Sequence, residues 1–180
     1  MEIKRVVTAV DADGKSVFAE DAPVKPVESA MMPGLRFYEL WGTAGAIDPP
    51  TPPTRAGQTF FPGPGETRFG LLTIEPTPRD APPAPEPDEQ ATAAGMEEIE
   101  RLLPGLVDHM EPDAPGMHTT RTIDYDIVVS GTLTLELDDG AEVELPAGSA
   151  IVQNGTRHAW HNYGTEPAVL AYVLIGALPG

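Results

Sequence analysis

The chain has 180 residues, enough for one barrel domain with a real core and short for two. Eleven basic against 28 acidic residues give a formal charge of -17, a field that repels phosphate backbones and argues against nucleic acid as a partner. There is no cysteine, which removes disulfides, thiolate catalysis and Cys-ligated zinc or iron–sulfur sites.

Twenty-one Pro and 18 Gly punctuate the chain and lean it towards an all-β fold with long connections. Its first residues lack the apolar core and cleavage site of a signal peptide, and no apolar run is long enough to span a bilayer. A cytoplasmic protein with no membrane partner is expected. Residues 3–10, rich in Ile and Val, lead into Asp11-Ala12-Asp13-Gly14, and residues 15–19 return, which predicts an opening hairpin. Residues 35–41 and 67–74 read as further strands, with a Pro-, Gly- and Thr-rich loop over 45–66 between them. Residues 75–92 are Pro- and acid-rich and predict a linker or mobile lid. Met96, Ile99, Leu102, Leu103, Leu106 and Met110 then recur at helical spacing, and Pro104 predicts a kinked or two-part helix packed on the barrel.

Short strands follow over residues 126–130, 132–137, 142–145, 150–153, 157–162 and 169–175, with Gly131 and Asp138-Asp139-Gly140 as turn signals. The expected organisation is one structural domain. Residues 1–75 supply N-terminal strands that pack on or extend the barrel, 76–115 the acidic linker and helical segment, and 116–180 the barrel core.

Within that last part, Gly116, His118, Asp124 and Gly131 precede Gly148, Gly155, His158 and Asn162. This order and spacing resembles the two motifs of the cupin superfamily. The first motif has a glycine, two histidines one residue apart, a glutamate and a turn glycine. His118 matches its first histidine, Thr120 stands where the second would be, and Asp124 takes the glutamate position seven residues before Gly131. In the second motif Asn154 replaces a proline, with a one-residue contraction. The resemblance covers roughly the last 65 residues. It implies a cupin-type jelly-roll β-barrel, with N-terminal strands extending the sheets and one short helical segment. It also implies a divalent metal (Fe, Zn, Mn or Ni) held by His118, Asp124 and His158, and a homodimer with N-terminal strands exchanged or packed between subunits. Residues 6–10 and 37–41 are the expected interface.

Strand alternation adds a residue-level reading. His158, Trp160 and Asn162 share one face while His161 points to the other, and Asp124, Asp126 and Val128 share a face. Asp126 is therefore an inward acid and the candidate catalytic residue, since a structural barrel avoids burying a carboxyl. Trp160, Thr120 and Gln153 are candidate pocket residues. His109 and His161 are expected at the surface, Tyr125 beneath the N-terminal strands, and Trp41 and the Phe60-Phe61 pair in the core or an interface.

Two His and one carboxylate on one wall leave open metal positions, the arrangement of non-haem Fe(II) oxygenases. The expected function is a metal-dependent enzyme acting on a small organic substrate, aromatic or polyketide-like, with a slight preference for oxygenase chemistry. The alternatives are a Lewis-acid lyase, isomerase or dehydratase, and a non-catalytic cupin that binds a small ligand.

Overall fold

The computed structural model describes residues 2–49, 57, 59–82 and 89–178. Parts of the expected loop over 45–66 and of the linker over 75–92 therefore lie outside the described residues.

The chain opens with strands β1 (Ile3–Val10) and β2 (Ser16–Val24), paired antiparallel as expected. Their turn is closed by the Asp11 carboxylate, which accepts from the amides of Asp13 and Lys15 at 2.9 Å each. The base of this hairpin is supported, with Ile3 and Val24 packing on Tyr38, Leu40 and Leu71. Arg5 fixes that contact by pairing with Glu20 and donating to the Leu40 carbonyl. At the far end Val10, Val17 and Phe18 are exposed.

Eight strands then form two antiparallel sheets. The larger contains β3 (Leu35–Thr43), β4 (Thr67–Ile74), β5 (Thr122–Ser130), β8 (Ala150–Asn154) and β10 (Ala168–Gly176), in the order β3-β4-β10-β5-β8. The smaller contains β6 (Thr132–Glu136), β7 (Glu142–Pro146) and β9 (Ala159–His161), in the order β7-β6-β9. The all-β jelly-roll expectation holds, and the N-terminal strands β3 and β4 extend the larger sheet. Gly131 carries the chain from one sheet to the other. Its φ is +73°, and a Cβ there would stand 2.8 Å from Ala168 Cα, so two independent constraints demand glycine.

Helix α1 (Glu89–Leu102) stops ahead of Pro104, and a 3-10 turn follows over Val107–His109. This is the two-part arrangement that Pro104 predicts. Ile99, Leu103 and Leu106 bury against Phe37, Phe60, Tyr172 and Leu174, so the helical stripe closes one end of the barrel. A second cluster, Ile74, Val128, Leu133, Ala168 and Leu170, fills the space between the sheets. No helix among the described residues is long and apolar enough to cross a membrane.

Two expectations about outward faces are corrected. Tyr125 is 54% exposed, because the hairpin settles on β3 and β4 and not on β5. His161 is half-buried, because its ring stacks on Tyr163 and its Nε2 meets the Glu136 carboxylate at 2.7 Å.

Candidate active site

β5 alternates strictly: Thr122, Asp124, Asp126 and Val128 face inward, and Ile123, Tyr125, Ile127 and Val129 face outward. This parity carries both carboxyls to the interior. His118 arrives by a different route, on the segment between the 3-10 turn and β5. It joins the barrel through reciprocal backbone bonds with His158, each amide donating to the other's carbonyl at 3.0 Å. The two imidazoles lie with centroids 4.2 Å apart, and the His158 ring meets Trp160 edge-on at 6.1 Å.

These residues meet in a cavity of about 140 Å³. At roughly 10–15 Å³ per molecule that is room for about ten waters, or a ligand of about as many non-hydrogen atoms. His118, His158, Asp124 and Asp126 line it together with Tyr172. Its other walls are apolar and include Phe37, Phe60, Phe61, Leu72, Trp160 and Leu174. Among the described residues no Lys or Arg lines it.

Of the expected site residues, Trp160, Asp126, His118, Asp124 and His158 come together here, whereas Thr120 and Gln153 are not among the lining residues. The Thr120 hydroxyl lies 2.7 Å from that of Thr122, and Thr122 in turn donates to Asp124, so Thr120 ends a buried hydroxyl chain behind the acid. Gln153 pairs directly with Asp124 across β5 and β8 and accepts from the Thr156 hydroxyl at 2.8 Å. His109 is half-buried, with its ring 4.7 Å from Phe61, and does not line the cavity. Phe37, which the sequence places in an expected interface, and Phe60 and Phe61, which it places in the core or an interface, are cavity walls; only their long-range packing reveals it.

Burial dominates the electrostatics. It lowers the His118 pKa, and it takes that of His158 down to about 4 with the help of neighbouring His118, so both rings are neutral near pH 7. A carbonyl can only accept, so His118 Nδ1 donates to Gly116 and His158 Nδ1 to Thr156, at 3.1 and 2.8 Å. Each Nε2 is thereby left with its lone pair. Burial also raises Asp124 to about 6, against the Thr122 hydroxyl bond that favours its ionised form. Asp126 rises to about 8, from burial first and the neighbouring Asp124 charge second. The site therefore offers two nitrogens with free lone pairs and an acid that keeps its proton at neutral pH.

Donor chemistry here suits a divalent cation: two neutral imidazoles with free Nε2 atoms, and an Asp124 Oδ1 with no protein hydrogen-bond partner. Still, no three His, Asp or Glu side chains among the described residues converge closely enough to hold an ion.

The sequence relationships agree with this geometry. Residues 107–175 match the cupin domain family. These residues are a cupin domain. They contain His118, both acids and His158, while the Phe walls and β3–β4 come from outside the matched span. An 84-residue stretch is 35% identical to the oryzines biosynthesis cluster protein J of Aspergillus oryzae, covering 43% of this chain and 47% of that protein. Over 64 residues the chain is 46% identical to the phomopsin biosynthesis cluster protein C' of Diaporthe leptostromiformis, covering 35% and 34%. The cupin-domain-containing oxidoreductase virC of Hypocrea virens is 36% identical over 66 residues, again 35% and 34%. The chain thus spans about half or less of the length of these curated relatives.

Proposed function

We propose that the chain is a cupin enzyme acting on a small organic molecule, aromatic or polyketide-like, bound in the cavity. The observation that carries this is the meeting of four polar groups, His118, His158, Asp124 and Asp126, at an otherwise apolar cavity. The relatives' names, two from biosynthesis clusters and one an oxidoreductase, support an enzyme of secondary chemistry.

In this reading a divalent metal, with a preference for iron, would be held by His118 and His158, with Asp124 drawn towards them across the same cavity. The ion, when bound, would activate dioxygen or polarise a substrate oxygen. The aromatic walls orient the substrate and exclude water, and the neutral imidazoles keep Nε2 available. Asp126 holds a proton at its carboxyl and delivers it to a substrate oxygen. That stored proton favours a second reading, Lewis-acid dehydration or isomerisation, in which proton delivery is the main need.

Elemental analysis of protein purified without chelators tests the metal. Stoichiometric iron, lost in His118→Ala and in His158→Ala, is expected. Full metal retention in both variants would remove the proposed ligands. Zinc, manganese or nickel in place of iron would favour the second reading.

The proposed protein partner is a second copy of the chain. Val152, Tyr125, Val173 and Phe69 form one register row across β8, β5, β10 and β4 on the outer face of the larger sheet. With Ile123, Ile127 and Val129 they make an uncharged apolar face on a chain of net charge -17. At roughly 100 Å² per side chain the seven expose on the order of 700 Å², more than scattered surface residues leave and short of the ~800 Å² per partner of a stable dimer. The exposed end of the hairpin, Val10, Val17 and Phe18, supplies the difference. Of the interface expected over 37–41, Phe37 instead lines the cavity, and Tyr38 and Leu40 lie under the hairpin.

A further inference from the structure

We infer that Arg157 is the positioning residue of the histidine pair, acting through Glu111 on the segment that carries His118. The inference rests on His118 and His158 being the working end of the cavity.

His118 belongs to none of the named strands. Its attachment to the barrel is the two-bond backbone bridge to His158. Immediately beside that bridge, Arg157 grips both oxygens of Glu111, Nε to Oε1 and Nη2 to Oε2, at 2.7 Å each. Its remaining nitrogen, Nη1, donates to Asp138 at 2.9 Å, in the turn between β6 and β7. One guanidinium therefore ties three separate stretches of chain at a single point. The grip reaches His118 through the backbone, because the Glu111 amide donates to the Met117 carbonyl at 3.0 Å and closes the loop just before His118. Leu106, Met110 and Gly116 of the same stretch line the cavity, so the latch also holds that wall.

Lysine cannot replace this device. A bidentate fork to Glu111 with a third donor to Asp138 needs the planar guanidinium, and an ammonium offers one point charge. Arg157 and Glu111 are about one-third exposed and Asp138 is mostly exposed, so the global contribution of the pairs is small. Their effect is local, on how often residues 110–118 leave the barrel.

Amide hydrogen exchange on the metal-free chain tests this, followed by Co(II) titration read from its visible spectrum. In Arg157→Met, and equally in Glu111→Gln, the His118 and His158 amides should exchange about tenfold faster. The Val128 and Leu170 amides of the larger sheet should be unchanged, and Arg157→Lys should fall between. Co(II) affinity should drop about tenfold, the usual scale for groups that orient ligands. Unchanged exchange at His118 overturns the inference. Acceleration spread evenly over the barrel also overturns it, since that is global destabilisation. So does faster loop exchange with undiminished Co(II) affinity. If the unaltered chain binds no Co(II) while the loop amides still accelerate, the latch stands and the proposed metal falls.

Discussion

Asp126 gives the sharpest test of the site's electrostatics. Its pKa is raised from 3.8 to about 8, with burial as the main cause. At 3% exposure there is little solvent to screen the penalty. The sign follows from linkage. Below about pH 4 both folded and unfolded chains carry the proton, and the fold is not penalised. Between about pH 4 and 8 the unfolded chain releases the proton while the folded one keeps it, so stability falls as pH rises and levels off above the folded value. At roughly 1.4 kcal/mol for each tenfold change in proton affinity, the rise from 3.8 to about 8 sets a ceiling of about 6 kcal/mol. Even about 2 kcal/mol of it corresponds to roughly 4–8 °C in Tm for a domain of this size. Asp126→Asn keeps the shape and removes the ionisation. Calorimetry of chelator-treated protein from pH 4 to 9 should show the variant matching the parent at the acid end and exceeding it increasingly up to pH 8. A difference that stays constant with pH would refute the reasoning, because it would mean Asp126 ionises normally in the fold.

Three further outcomes follow from packing. Gly131→Ala should cost about 3 kcal/mol in denaturant unfolding, combining a left-handed φ with the 2.8 Å approach to Ala168; a cost under about 1 kcal/mol would show that the crossover relaxes freely. Arg68→Met should destabilise by about 2–4 kcal/mol, because the buried guanidinium donates to the Thr59 and Thr67 carbonyls and pairs with Glu66, anchoring the stretch that bears Phe60 and Phe61. Tyr125→Glu with Val152→Glu should shift light-scattering mass to the monomer with Tm of the barrel nearly unchanged; a persistent dimer would move the interface elsewhere.

How much of this the sequence could show depends on the range of the contacts involved. The β5 alternation was legible, because one buried face forces a period of two, and it assigned Asp124, Asp126 and Val128 to one side correctly. Pro104 located the break in the helix for a similarly local reason. Alternation names a side, however, and not what covers it. Parity alone therefore puts Tyr125 beneath the N-terminal strands, whose hairpin lands two strands away, and His161 in solvent although Glu136 stands beside it. The walls Phe37, Phe60 and Phe61 meet β10 only through pairing across more than a hundred residues, and no local pattern encodes that. Thr120 looked like a gap in a ligand set. The structure gives it a hydroxyl chain to Asp124, visible only once Thr122 and Asp124 share a face.

The charge distribution supplies the remaining step. A chain with 28 acids has no shortage of places to keep carboxyls in water, yet it buries two of them beside two imidazoles with no Lys or Arg among the described cavity walls. Each of these groups is shifted towards its neutral form: the imidazoles downward, the carboxyls upward. Such a cluster does nothing for folding, since apolar residues of equal volume would bury at lower cost. What it provides is a concentrated capacity to take up positive charge, with lone pairs at two Nε2 atoms and a releasable proton at Asp126. Under the proposed function, a cavity walled by aromatic rings and ending in that cluster would take an apolar molecule whose reacting end meets a cation or a proton, in preference to an anion carried in for storage.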